Sequence, residues 1–424
     1  MSGQATPKGA WGITFLLFLY MLVNFADKVV VGLAGAPIMD DLKLTPEQFG
    51  FLGSSFFFLF SATAIVVGMI ANKRPTRWIL LILALVWSLV QFPMASEVSF
   101  TTLVVCRIIL GAGEGPAFAV ACHALYKWFP DEKRALPTAI LSQGSALGVI
   151  VAVPALNWII VKYSWHWAFG ALGIVGLVWV ALWLVFGREG PLVDETREVE
   201  EGRRYSFWRL VATPTFIGAS LATFGAYWAL SLALTWFTPF IVKGLGFPQE
   251  KAGLLSVLPW VAGAIVVLGA GWLSQRMIAR GATTRTARAV LGAAPLLLAG
   301  LFILAMPHVG SPGAMIACLV AASACTGAIY PLCPPMIGEF TPSAQRGGML
   351  AVYGAFYSLA GVAAPFVMGR VVQNAASPLE GYLAGFQING FILIAAGIVG
   401  LMLMYPNRDR ARLAGHTIAW GKPA

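Results

Sequence analysis

The sequence predicts an all-α membrane protein of twelve transmembrane helices in two pseudo-symmetric six-helix bundles, and three observations carry that prediction. The residues are 58% hydrophobic and only 11% charged, whereas soluble domains carry roughly 25% charged residues. Apolar stretches of the ~20 residues that a bilayer spanner needs follow one another in near-unbroken succession. Loop motifs recur half a chain apart.

The expected spans are 11–37, 47–71, 78–96, 100–127, 136–161 and 166–187 in the first half. Those of the second half are 213–243, 250–274, 288–306, 312–338, 346–373 and 381–404. The opening MSGQATPKGAW runs into the first span with no small-residue cleavage site, so the first helix is expected to be retained. Residues 188–212 form the longest polar connection, mixing both charge signs. They divide the chain into an N-terminal bundle (1–187), a linker (188–212), a C-terminal bundle (213–404) and a tail (405–424).

Lys and Arg set the orientation. Sixteen, among them Lys8, Arg77, Arg134, Arg276, Arg346 and Arg410, fall in connections on one side, against four on the other, Lys43, Lys162, Lys243 and Lys251. By the positive-inside rule the first set is cytoplasmic, which places both termini inside. The net charge of +10 is therefore a topology signal, since it forms no basic face for nucleic acid.

Cys106, Cys122, Cys318, Cys325 and Cys333 lie in apolar spans without C-x-x-C pairing, which argues for small packing residues. His123, His166, His308 and His416 have no ligand spacing, so no metal is expected.

The repeat is visible in the loops. Phe129-Pro130 to Arg134 and Thr341-Pro342 to Arg346 share P-x-x-x-R at an offset of 212 residues. Gly68 to Lys73 is echoed by Gly271 to Arg276 at an offset of 203. Two such halves suit a substrate site near the midplane, with access alternating as one half rocks against the other. On these motifs the chain resembles the major facilitator superfamily over nearly its whole length. That family's usual G-x-x-x-D-R loop has Asn72-Lys73 in place of Asp-Arg here.

Ionisable residues in hydrocarbon cost at least about 2.5–3.5 kcal/mol each, so each demands a partner or a purpose. The first span holds Asn24-Phe25-Ala26-Asp27-Lys28, and the fourth holds Arg107 and Glu114 seven residues apart. That spacing is two helical turns, placing the pair on one face about 10 Å apart along the axis. Gly111, Gly113 and Gly115 clear space for a neighbouring helix or a ligand. Arg107 offers a carboxylate a bidentate fork and Lys28 a point charge. Asp27 and Glu114 offer proton coupling, because a carboxyl taken out of water holds its proton more tightly. The alternative is a static ion-pair cluster tying the first helix to the fourth, a costly way to fasten two helices.

The quartet is similar to the anion:cation symporter branch, whose first helix commonly reads N-Y-x-D-R and whose fourth reads R-x-L-x-G-x-G-E-x-P. Here the segments are N-F-A-D-K and RIILGAGEGP, followed by Trp128-Phe129-Pro130. The resemblance implies proton coupling at Asp27 and Glu114, anion recognition at Lys28 and Arg107, and no cofactor besides the proton. Phe25 and Lys28 depart from the branch's tyrosine and arginine. Gln143 and Ser145 on the fifth span are further substrate-binding candidates.

In the second half, Tyr353 and Tyr357 are four apart on one helix face, either lining a cavity or packing. Arg370, near the end of its span, reads as a snorkelling residue. The expected function is proton-coupled uptake of an organic carboxylate across the inner membrane by a monomer in the bilayer. A proton-driven exporter of drugs or toxic acids is the alternative. An enzyme is disfavoured, because the chain has no sizeable extramembrane domain and no nucleophile motif.

Overall fold

The structure, a computed structural model, describes residues 6–71, 73–130, 133–192 and 205–415. Asn72, His416 and three of the sixteen basic residues counted above, Arg197, Arg203 and Arg204, lie outside them.

Among the described residues eleven helices are long and apolar enough to cross a membrane. They are α1 (Ala10–Leu33), α2 (Pro46–Ala71), α3 (Thr76–Met94), α4 (Phe100–Tyr126), α5 (Leu136–Lys162) and α6 (Trp165–Phe186) in the first half. The second half has α7 (Pro214–Gly244), α8 (Gln249–Ala279), α9 (Arg285–His308), the shorter apolar helix α10 (Pro312–Gly327), α11 (Gln345–Gln373) and α12 (Pro378–Leu403).

The differences from the expected spans have local causes. The first span was expected to reach residue 37, but α1 stops at Leu33 and a separate short helix, Gly35–Asp41, follows. Expected as one span over 312–338, α10 instead ends at Gly327 and resumes as Cys333–Phe340. Pro331 falls in that gap, where it removes a backbone donor and crowds the preceding turn. Pro116 does the same in α4, splitting it into Phe100–Glu114 and Ala117–Tyr126. At the start of α2, Thr45 and Gln48 form a reciprocal capping box with Pro46 at the first helical position.

By internal contacts the chain forms two compact units. Unit 1 comprises Met1–Arg197, Leu232–Trp260 and Gly361–Tyr382, and unit 2 comprises Glu198–Ser231, Val261–Ala360 and Leu383–Ala424. These contact units cut through α7, α8, α11 and α12. The sequential bundles 1–187 and 213–404 remain a proposal about which parts move together.

In unit 1, segments from both sequence halves meet near the C-terminal end of α1. Lipid tails are as apolar as leucine, so helices in a bilayer associate through close packing and small residues. A Cβ on Gly32 of α1 would lie 1.8 Å from the Leu234 carbonyl oxygen of α7, and one on Gly50 of α2 would lie 2.4 Å from that of Pro365 in α11. Hydrogen bonds run beside these contacts. Trp236 Nε1 donates to the Pro365 carbonyl at 3.0 Å, the Phe366 amide donates to Ser54 Oγ at 3.1 Å, and Gln249 Nε2 donates to the Leu33 carbonyl at 2.8 Å. Asn157 Nδ2 donates to the Glu250 carbonyl at 3.1 Å, and Lys243 pairs with Asp40.

At the other end of unit 1, Glu189 caps α3. It accepts from the Thr76 amide (3.1 Å), the Thr76 hydroxyl (2.9 Å), the Arg77 amide (2.9 Å) and the Lys127 ammonium. A carboxylate is well placed over the unpaired amides of a helix N-terminus. Partial burial pushes this carboxyl up, but the bonds from Lys127, Arg77 and Thr76 outweigh it and hold Glu189 below its ordinary value.

In unit 2, Asp409 Oδ2 accepts from the Thr215 amide at the start of α7 at 2.8 Å, and the Thr215 hydroxyl accepts from the Tyr405 amide at 2.9 Å. The first part of the tail is thus a helix, Pro406–Leu413, anchored by a buried aspartate. Gln345 exchanges two hydrogen bonds with the Tyr205 backbone, and Arg288 pairs with Glu339.

Candidate functional site

The site is built on α1, α3 and α4 within unit 1. Tyr20, Asn24 and Asp27 follow the helical repeat along one buried stripe of α1, with Lys28 beside them. Asn24 and Asp27 are completely buried, and Arg107 and Glu114 on α4 are 3% and 1% exposed. Three of the four charged candidates are therefore removed from the surface, and the side chain of the fourth, Lys28, is 11% exposed.

Their partners are specific. Lys28 Nζ donates to Asn24 Oδ1 at 2.7 Å and stands 3.6 Å from Glu114 Oε2. The second distance is an ion-pair contact too long for a hydrogen bond. Asp27 Oδ1 accepts from Gln91 Nε2 of α3 at 2.8 Å. The Arg107 guanidinium lies 4.6 Å from the centre of the Phe56 ring, and the Lys28 ammonium 4.2 Å from that of Phe25. Phe25 therefore contributes a ring face to the cation where the branch has a tyrosine.

Several groups in this cluster are buried without a hydrogen-bond partner: Arg107 Nε and Nη1, both Glu114 oxygens and Asp27 Oδ2. Polar groups out of water are normally paired, and a group left unpaired costs about 1–3 kcal/mol, more if charged. The static ion-pair reading is realised only between Lys28 and Glu114. Among the described residues, neither Asp27 nor Arg107 has an opposite charge within ion-pair distance. The result is a buried polar cluster with donors and acceptors left over.

The glycines of α4 serve packing. A Cβ at Gly111 would lie 1.7 Å from the Phe56 carbonyl oxygen, and one at Gly115 would lie 2.1 Å from that of Phe60, so α2 presses on this face. Glu114 is the last residue before the Pro116 break, where the main chain turns from one helical segment to the next.

Gln91, Asn24 and Tyr20 were not singled out from sequence as site residues. The available signal was an amide in each of two apolar runs, Asn24 three residues before Asp27 and Gln91 three after Ser88. On α5, Ser145 Oγ donates to the Ser142 carbonyl at 2.6 Å, so its hydroxyl proton is committed to its own helix. Gln143 is half-buried beside Gly144, which packs against Phe18 and Met21 of α1.

The tyrosines belong to unit 2. Tyr353 shares a 2.6 Å hydrogen bond with Thr223 of α7, its ring is 5.0 Å from that of Tyr357, and Tyr357 is 5.0 Å from Tyr227. Tyr330, at the α10 break, has a buried hydroxyl without a partner. The structure brings together Asp27, Lys28, Arg107 and Glu114 in one unit, and Tyr353 and Tyr357 in the other.

Eleven to twelve apolar helices among the described residues, with buried, incompletely paired charges inside unit 1, define a multi-pass membrane protein of the carrier type. The chain belongs to the Major Facilitator Superfamily, whose family model matches residues 16–306 and 283–422. A hexuronate transporter of Bacillus subtilis is 29% identical over 269 residues, 62% of this chain, and the chain spans 64% of that relative's length. A D-galactonate transporter of Escherichia coli is 25% identical over 381 residues, 85% of this chain and 88% of the relative. Relatives of this kind place the chain in the anion:cation symporter branch. Among solved structures, a bacterial homologue of the human lysosomal transporter Spinster superposes with a TM-score of 0.81 at 18% identity, covering 94% of this chain and 97% of the other. That last likeness is one of fold.

Proposed function

We propose that this protein is a secondary active transporter that takes up an organic carboxylate anion together with protons across the cytoplasmic membrane. The observation that carries the reading is a buried arginine with unused donors, Arg107, beside an acid–base contact, Lys28–Glu114, that is longer than a hydrogen bond. A substrate carboxylate would take the donors that Arg107 leaves open, a bidentate match that lysine does not supply. A proton would bind Glu114, which removes its attraction for Lys28 and lets that ammonium turn toward the anion. Asp27, held by the neutral Gln91, is the second proposed proton site. Joint binding of anion and proton would cancel charge in the cluster, so the loaded site costs less to close than the half-loaded one. The proton leaves Glu114 when the site next meets water, and Lys28 then recaptures the carboxylate.

Gln143 is proposed as a neutral contact to the substrate body, and Ser145 as an acceptor through its lone pairs. Tyr353 and Tyr357 keep the proposed role of tuning recognition in unit 2, tested by Tyr357→Phe. The relatives named above transport sugar acids, which sets a polyhydroxylated carboxylate against the less polar carboxylate suggested by Phe25. Uptake into proteoliposomes of a panel of sugar, aromatic and short aliphatic acids, under an inward proton gradient, tests the proposal. Accumulation of one class that an uncoupler abolishes supports it. Accumulation that persists with the uncoupler sinks the coupling, and export without uptake favours the outward-running cycle.

A further inference from the structure

At the end of unit 1 that carries the N-terminal part of α1, Lys8, Gly12, Phe15, Trp128, Phe186 and Arg188 help to line a cavity of about 370 Å³. Its two cations flank membrane spans. Lys8 lies two residues before α1 and Arg188 two residues after α6, which puts both at headgroup depth. Both are exposed, and neither has an ion pair or hydrogen bond among the described residues. The acid adjacent to Arg188 is Glu189, which is already engaged by Lys127 and the start of α3.

The walls are apolar. Phe15 and Phe186 are each 59% exposed, on spans whose surroundings are hydrocarbon, while Trp128 is only 6% exposed. Gly12 leaves one side open, since a Cβ there would meet nothing within 4 Å. An apolar trough with two cations at its lip, neither partnered among the described residues, complements a ligand that joins a phosphate to a hydrocarbon chain. A soluble anion would leave the phenylalanines uncovered, and a neutral lipid would leave the cations unmatched.

We propose that this groove is a binding site for an anionic phospholipid, with the phosphate between Lys8 and Arg188 and one acyl chain along Phe15 and Phe186. Basic pockets at the ends of transmembrane helices suit such headgroups, and the site is independent of the transport reading.

The test uses the full chain in detergent with limiting dioleoyl phosphatidylglycerol or dioleoyl phosphatidylcholine, retained lipid being counted by native mass spectrometry. The wild type is expected to prefer phosphatidylglycerol about 25-fold, with Lys8→Gln and Arg188→Gln each lowering that preference about fivefold. Gly12→Leu, introduced into open space, is expected to cut retention of the lipid while the protein keeps its elution profile. Brominated phosphatidylglycerol should quench part of the tryptophan emission, and Trp128→Phe should remove that part. Equal retention of the two lipids, or an unchanged preference in the Lys8→Gln/Arg188→Gln double variant, overturns the proposal. Displacement of phosphatidylglycerol by glycerol phosphate at comparable concentration also overturns it, by showing a soluble anion site.

Discussion

Arg107 and Glu114 differ in what they leave unused. Arg107 is stacked over Phe56 with two nitrogens unpartnered, so a single change tests whether its fork matters. Arg107→Lys keeps the charge but loses the bidentate geometry, and is expected to raise the KM for the transported carboxylate tenfold or more, about 1.4 kcal/mol or more. An unchanged KM would show that only charge counts there. Glu114→Gln removes the carboxyl proposed to couple the proton and leaves Lys28 with its hydrogen bond to Asn24. It should abolish proton-driven accumulation in proteoliposomes while sparing exchange of labelled for unlabelled substrate, and full accumulation by the variant rules out the coupling role.

Two contacts between helices carry the predictions at the scale of the element. Gly111 meets the backbone of α2 with no room for a Cβ, so Gly111→Ala must part α2 from α4. A loss of about 2 kcal/mol or more is expected, read as a lower melting temperature in detergent. A variant as stable as the wild type would mean that this contact relaxes freely. Glu189 holds the start of α3, and Glu189→Gln should destabilise the protein by about 1 kcal/mol, a small figure because the side chain is 32% exposed. The pH dependence has a definite sign. The folded-state value lies below the ordinary 4.5 of a glutamate, so the contribution is present in full above that value and is lost as pH falls through the folded value. Thermal melts of the wild type and Glu189→Gln should therefore converge on acidification below pH 4.5 and differ at neutral pH.

At the scale of the whole molecule, the second sequence half sends the ends of α7, α8, α11 and α12 into unit 1, and there they pack on the first half. Alternating access by the two sequential bundles would require these contacts to part. Asn157 and Gly253 offer a test, because a Cβ on Gly253 would lie 2.1 Å from Asn157 Cγ, close enough for a disulfide between cysteines at the two positions. The oxidised Asn157→Cys/Gly253→Cys variant is expected to stop transport, and reductant should restore it. Undiminished transport by the oxidised protein would show that this contact need not open.

The sequence by itself determined the membrane class, the order of spans and the two charged segments. Apolar runs of bilayer length admit few other structures, and an ionisable residue within one stands out against its neighbours. The breaks at Ala34, Pro116 and Pro331 show where composition alone misleads, since a hydropathy pattern runs on through a break in the helical ladder. Tertiary structure alone decided the partners. Gln91 reaches Asp27 from 64 positions away, and Gly111 and Gly115 face backbone carbonyls of α2. Only tertiary structure showed that, among the described residues, Asp27 and Arg107 have no opposite charge within ion-pair distance and that Tyr353 is bonded to Thr223. Spacing along one helix places residues on a face, but which neighbour meets that face depends on how the helices pack, and that is set by contacts between residues far apart in the chain.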